Sequence, residues 1–184
     1  MPILWILLAL VVIIGIWLIS TYNGLIQLRN QTDEAWADID VQLKRRYDLI
    51  PNLISTVKGY ATHESGVFQQ VSEARSVALG AKSMADKAAA ENMLSSTLKS
   101  LFAVSEAYPE LKANQGFLKL QDELSDTENK IQASRRFYNG NVRDLNTKIQ
   151  VFPTNIIANM LGFTKRDFFE LSSATEREVP QVKF

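Results

Sequence analysis

The chain has 184 residues, with 20 basic and 20 acidic side chains, one histidine and no cysteine. Without thiols there is no disulfide framework, thiolate zinc site, iron-sulfur cluster or cysteine nucleophile, and a lone imidazole leaves the common histidine metal sites short of ligands. A formal net charge of +0 argues against a dedicated nucleic-acid binder, which needs a cationic stripe to displace counterions from phosphate.

The charges are unevenly placed, because the first of them is Arg29. From Ile3 to Ile19 every residue except Gly15 is strongly apolar, and 13 of these side chains are Leu, Ile or Val. At the helical rise this run is about 26 Å long, and Pro2 with Ser20 to Tyr22 extends it to the thickness of a bilayer core. Insertion of the thirteen aliphatic side chains is favourable by about 4 to 8 kcal/mol as an upper estimate. The membrane face is represented by Ile3, Leu8, Val12 and Ile16, while Trp5 at one end and Trp17 and Tyr22 at the other suit the two interfaces. A cleaved signal peptide would carry a basic leader and a small-x-small cleavage site, and neither is evident. Residues 1–22 are therefore expected to be a retained single-pass anchor contacting the lipid bilayer of the cell membrane. Arg29, Lys44, Arg45 and Arg46 follow the span, so the positive-inside rule places the N-terminus outside and the C-terminal domain in the cytoplasm.

Beyond Tyr22 the apolar residues recur at steps of three and four, which is the period of helix, and the predicted class is all-α. Leu28, Thr32, Ala35, Ile39, Leu43, Arg46, Ile50, Leu53 and Val57 form one stripe, widened by Leu25, Trp36, Tyr47 and Ile54. Pro51 lacks a backbone donor and is expected to kink this helix near Tyr47. Between Gly59 and Gly66 two glycines favour a bend or tight turn, although the stripe continues in phase through Val67, Val71, Ala74 and Ala78. A break follows at Gly80 to Ala85, where Ser83 caps a helix starting near Met84 and Asp86 suits its first turn. That helix is predicted to bury Ala89, Met93, Ser96 or Thr97, Leu101 and Val104, and to end before Pro109.

The last long helix begins around Lys112 to Gln115. Its stripe is Phe117, Leu120, Leu124, Thr127, Ile131, Ser134, Tyr138, Asn141, Leu145 and Ile149, and Phe152-Pro153 stops it. A short helix from Asn155 to Leu161 follows, capped by Thr154 and Gly162. Connections of these lengths between long helices imply antiparallel neighbours, so residues 23–163 are expected to form an up-and-down four-helix bundle. Residues 164–184 read as an aromatic tail, with Phe163, Phe168 and Phe169 packing across the bundle or against a neighbouring subunit.

Recognisable chemistry is sparse. A carboxylate-bridged di-metal site needs Glu-x-x-His pairs, but Tyr60 stands three residues before His63 and no second histidine exists. An all-carboxylate site from Glu64, Glu73, Glu106, Glu123 or Glu128 is the residual metal hypothesis, against solvation as the ordinary fate of such groups. No Gly-x-Ser-x-Gly elbow or phosphate-cradling glycine loop is present. Lys44-Arg45-Arg46 and Arg135-Arg136 are basic clusters, and Asp122-Glu123 with Asp126 and Glu128 is an acidic one. They either solvate and pair across the bundle or set the register of an oligomer. Asn114, Asn139, Asn141 and Asn146 are suited to cap or cross-link helices.

Longer strings carry a resemblance. They are Tyr22-Asn23-Gly24-Leu25, Leu28-Arg29-Asn30, the run from Glu34-Ala35-Trp36 to Ile50-Pro51-Asn52-Leu53, Val57-Lys58-Gly59-Tyr60-Ala61 with His63-Glu64, and Glu73-Ala74-Arg75. The segment Glu106-Ala107-Tyr108-Pro109-Glu110-Leu111-Lys112-Ala113-Asn114 follows, with Phe117 and Leu120-Gln121-Asp122-Glu123-Leu124. Glu128-Asn129, Arg135-Arg136, Tyr138-Asn139, Asn146, Phe152-Pro153 and Gly162-Phe163 complete the pattern. Over essentially its whole length the chain resembles the LemA family of membrane-anchored bacterial proteins. The resemblance implies an N-terminal membrane helix carrying a helical bundle, with no catalytic residue, cofactor or substrate to transfer. It extends loosely to a magnetosome-formation protein, which implies membrane organisation, and relatives often accompany membrane proteases. One departure is Asn139-Gly140-Asn141, whose glycine weakens the final helix locally by about 1 kcal/mol.

The reading that follows is a non-enzymatic, membrane-anchored scaffold that self-associates as a homo-oligomer and organises envelope proteins. Lys44, Arg45, Arg46, Phe163, Phe168 and Phe169 are its expected oligomer contacts. An adaptor subunit of a membrane protease or signalling complex, holding a partner helix in a bundle groove, is the alternative.

Overall fold

The three- and four-residue periods become helix. A computed structural model describes residues 2–170, and these form α1 (Pro2–Lys58), α2 (Ser65–Gly80), α3 (Met84–Ser105), α4 (Pro109–Lys112), α5 (Gln115–Gln150) and α6 (Thr154–Met160), with no strand among the described residues. The expected anchor is the beginning of α1, an apolar helix long enough to cross a membrane. Two compact units can be distinguished. Of the described residues, one takes 2–39 and 133–168, and the other 40–132 with 169–170.

The first unit combines the N-terminal part of α1, the C-terminal part of α5, and α6. Leu25, Leu145, Ile149 and Ala158 form a buried cluster against which Leu28 and Phe163 pack. Thr32, Ala35 and Ile39 on α1 and Tyr138 and Val142 on α5 are also buried, and the rings of Trp36 and Tyr138 lie 5.3 Å apart. Side-chain amides stitch the elements together. Asn141 Nδ2 donates to the Gln31 carbonyl at 3.2 Å. Asn146 pairs with the backbone of Arg166 in both directions, each bond 2.9 Å, and so binds the strap after α6 as a backbone partner would. Tyr138 Oη donates to the Asp167 carbonyl at 3.0 Å, and Arg166 meets Asp33 at 2.9 Å.

The ends of α6 differ from expectation at one terminus only. Thr154 is buried inside the first turn, and Pro153 occupies the capping position with no side-chain cap bond. The fixed φ of proline and its missing donor suit this entry, so the threonine hydroxyl is not needed. At the other end Gly162 takes φ 73°, Gly162 N donates to Asn159 O and Phe163 N to Ala158 O. This is the paired C-terminal closure that glycine favours, and it turns Phe163 back onto the core.

In the second unit, the C-terminal part of α1 buries Leu43, Arg46, Tyr47, Ile50, Leu53 and Val57, in the predicted phase. Residues 59–64 form a turn in which Ala61 is fully buried, and α2 resumes the same phase with Val71, Ala74 and Ala78 inside. Ser83 caps α3 through its Oγ, which accepts from Asp86 N at 3.0 Å. Asn114 does the same for α5, accepting from Phe117 N at 3.0 Å, while its Nδ2 donates to Tyr60 Oη at 2.9 Å. The predicted stripe of α5 is buried or half-buried at every position, and the helix passes through Gly140 without a break.

α3 corrects the sequence reading by about one residue. Its inner face is Ala90, Glu91, Leu94, Leu98, Leu101 and Ser105, while Met93 is largely exposed. Alanine-rich helices have little contrast between faces, and the only strong polar residue on the inner one, Glu91, made that face look external.

Pro51 leaves the carbonyl four residues earlier, that of Tyr47, without its intrahelical donor. Arg75 of α2 supplies the missing bond, with Nε donating to Tyr47 O at 2.7 Å. The helix interruption thus becomes an attachment point for a neighbouring helix. Arg75→Met should cost about 1 to 3 kcal/mol by stranding this acceptor. The same substitution made in Pro51→Ala, which restores a backbone donor, should cost less. Urea unfolding of the four members of the cycle tests this, and equal costs in both backgrounds would disprove the coupling.

Candidate functional site

The largest buried polar group among the described residues is the guanidinium of Arg46, 2% exposed in the second unit. Helical spacing places it on the inner face of α1 between Leu43 and Ile50. From α3 comes Glu91, fully buried, in direct ion pairing with Arg46. From α5 comes Glu128, whose Oε2 accepts from Arg46 Nη1 at 2.6 Å, and Ser95 Oγ lies 3.4 Å from the same nitrogen. Tyr47 donates its hydroxyl to Glu91 in a short contact. Just outside, Lys87 of α3 pairs with Asp40 of α1.

Electrostatics explains why the cluster needs all its members. Burial lowers the Arg46 pKa, and the negative charge of Glu128, followed by Tyr47 and the hydrogen bond to Glu128, works in the opposite direction. Burial also pushes the Tyr47 hydroxyl up to about 12; Arg46 pulls it down and Asp40 raises it further. Tyr47 is therefore held neutral as a donor. Nη1 and Nη2 of Arg46 meet Glu128 and Glu91, while its Nε is buried without a hydrogen-bond partner, and the side chain joins α1, α3 and α5.

The basic triplet of the sequence divides on folding. Lys44 and Arg45 are exposed, whereas Arg46 is withdrawn from the surface, because α1 presents it to the core. Surface contacts expected of the triplet consequently rest with Lys44 and Arg45. Asp126, bonded to Lys130 at 2.8 Å, has its carboxyl held below its ordinary value, first by that bond and also by the charges of Lys130 and Arg45. The aromatic trio divides as well: Phe169 is fully buried, Phe163 is half-buried beneath Arg29 at 5.8 Å, and Phe168 is exposed. The residues expected to anchor the chain, Ile3, Trp5, Leu8, Val12, Ile16, Trp17 and Tyr22, are all exposed on α1. Of the tail, residues 171–184 lie outside the described residues.

Among the carboxylates considered for a metal, Glu128 is taken by Arg46 and Glu106 by Lys112 at 2.5 Å. The described residues contain no group of three or more His, Asp or Glu side chains arranged to hold an ion. Sequence reasoning missed Glu91. The available signal was its spacing: Glu91 stands three, seven and ten residues before Leu94, Leu98 and Leu101, and a charge in phase with such a stripe calls for a buried partner.

The model of the LemA family matches residues 35–184. Magnetosome protein MamQ 2 of Paramagnetospirillum magneticum and Magnetosome protein MamQ of Magnetospirillum gryphiswaldense are each 22% identical over 193 aligned positions, which span 90% of this chain and 71% of theirs. Protein LemA of Metamycoplasma hominis is 27% identical over 160 positions, spanning 85% of this chain and 72% of its own.

Removing one partner of the buried pair strands the other. Glu91→Ala should destabilise the protein by about 3 to 5 kcal/mol, whereas the joint replacement Arg46→Met with Glu91→Leu should recover most of the loss. Chemical denaturation followed by circular dichroism measures both, and a joint variant as unstable as Glu91→Ala would contradict the assignment. A raised Tyr47 pKa means that the folded state keeps a proton the unfolded state loses. Stability should therefore fall between pH 10 and about 12. Tyr47→Phe should flatten that part of the profile, and an unchanged slope would refute the role of Tyr47.

Proposed function

This chain belongs to the LemA family, and from that premise we propose that it is a non-enzymatic, membrane-anchored scaffold that self-associates and organises membrane or envelope proteins. The observation that carries the reading is the start of α1, a long run of exposed aliphatic and tryptophan side chains that a water-soluble surface does not tolerate. Residues 1–22 span the cell membrane once, the N-terminus lies outside, and the basic residues from Arg29 onward keep the remainder in the cytoplasm. Short connections between the C-terminal part of α1, α2, α3 and α5 support an up-and-down antiparallel four-helix bundle as the body of the scaffold. The buried Arg46 cluster stiffens that body, and the exposed Lys44, Arg45 and Phe168 offer contacts to a second copy. Magnetosome proteins among the relatives favour a role in membrane assembly.

Light scattering of the full-length protein in detergent should give a mass of several protomers, and a strict monomer at membrane-like concentrations would remove self-association. Recovery of one dominant heterologous partner at fixed ratio from solubilised membranes would instead favour an adaptor of a membrane protease or signalling complex. A reporter fused after Phe184 should be active in the cytoplasm, and a periplasmic signal would reverse the orientation.

A further inference from the structure

Within the first unit, the segment that closes α5 and forms α6 is apolar on its outside as well as its inside. No charged residue stands between Lys148 and Lys165. Thr154 and Ala158 face the core, while Phe152 and Met160 are 79% and 78% exposed and Val151, Ile156 and Leu161 are exposed beside them. An apolar patch of this kind marks a surface that another apolar phase covers.

Its position names the occupant. Ile157, Met160 and Leu161 line a single shallow apolar depression together with Leu18, Ile19 and Tyr22 of α1. Those three α1 residues are the last turn of the apolar run and the interfacial tyrosine that follows it. The α6 patch is thus continuous with the surface of the span and sits at the level where the span ends. The surrounding chemistry is that of a headgroup boundary: Tyr22 and Phe163 meet edge to face at 6.5 Å, Arg29 lies over the Phe163 ring at 5.8 Å, and Lys165 is exposed.

We infer that Val151 to Leu161 is a second membrane contact, a short wedge seated in the headgroup and acyl boundary of the leaflet from which α1 emerges. This rests on the reading of α1 as a membrane span. Phe152, Ile156 and Met160 enter the acyl region, and Arg29 and Lys165 stay at the level of lipid phosphates. Because α6 packs on α1 and α5 through Ala158 and Phe163, the wedge holds the first unit against the bilayer at two points instead of one.

The absence of cysteine makes the test direct. Full-length protein carrying a nitroxide at Phe152→Cys or Met160→Cys is reconstituted in vesicles of phosphatidylcholine and phosphatidylglycerol. Accessibility to oxygen, which concentrates in acyl chains, is compared with that to a water-soluble nickel complex. Val12→Cys in the span and the exposed Val41→Cys of the second unit serve as lipid and water references. All four positions are on the surface, so labelling leaves the core intact. The expected result is that Phe152 and Met160 labels lose nickel accessibility and gain oxygen accessibility, as Val12 does. Nickel-dominated labels at both sites, with Val12 still oxygen-dominated, would overturn the wedge alone. Labels shielded from both reagents would overturn it in favour of a second copy or a partner protein. A nickel-dominated Val12 would overturn the span and the wedge together.

Discussion

One arginine imposes the main constraint on the second unit. Arg46 lies on the inner face of α1, where its charge is desolvated, and the helix cannot keep it there unless anions reach it from neighbouring elements. α3 brings Glu91 and α5 brings Glu128, so three helices are held in one register by a single side chain. Aliphatic packing alone would tolerate sliding by a residue or a turn, because leucines and alanines repeat along every stripe. Sliding α1 by one residue would part Arg46 from Glu91 and Glu128 and leave its charge buried without them.

A similar logic operates at the backbone. Pro51 removes a donor from α1 in the helical turn that carries Arg46 and Tyr47, and Arg75 from α2 satisfies the exposed carbonyl. In the first unit Asn146 performs the equivalent service for a non-helical strap by pairing with the backbone N–H and carbonyl of Arg166. In both places a polar side chain satisfies the backbone of another part of the chain.

How much was legible follows from where each signal resides. The stripes of α1 and α5, the Ser83 cap, the turn near Gly59 and the Gly162 closure are written in local spacing and turn chemistry, and the residues identified them. α3 was misphased because its alanines give weak contrast and Glu91 reads as an outward charge. Arg46 stood in the predicted stripe and in a predicted surface cluster, and nothing local could choose between the two. The same holds for the neighbouring Phe168 and Phe169, one exposed and the other buried.

The all-helical class, the apolar run that opens α1 and the absence of thiols are properties of the sequence by itself, since they depend on side-chain type and on spacings of a few residues. The tertiary structure decided which acidic and basic groups among the described residues leave water. Burying a charge requires a counter-charge, and the partners of Arg46 include Glu128, 82 residues further along the chain. It likewise decided that the uncharged stretch after α5 turns Phe152, Ile156 and Met160 outward beside the end of the apolar run, because that depends on how α6 packs rather than on what it contains.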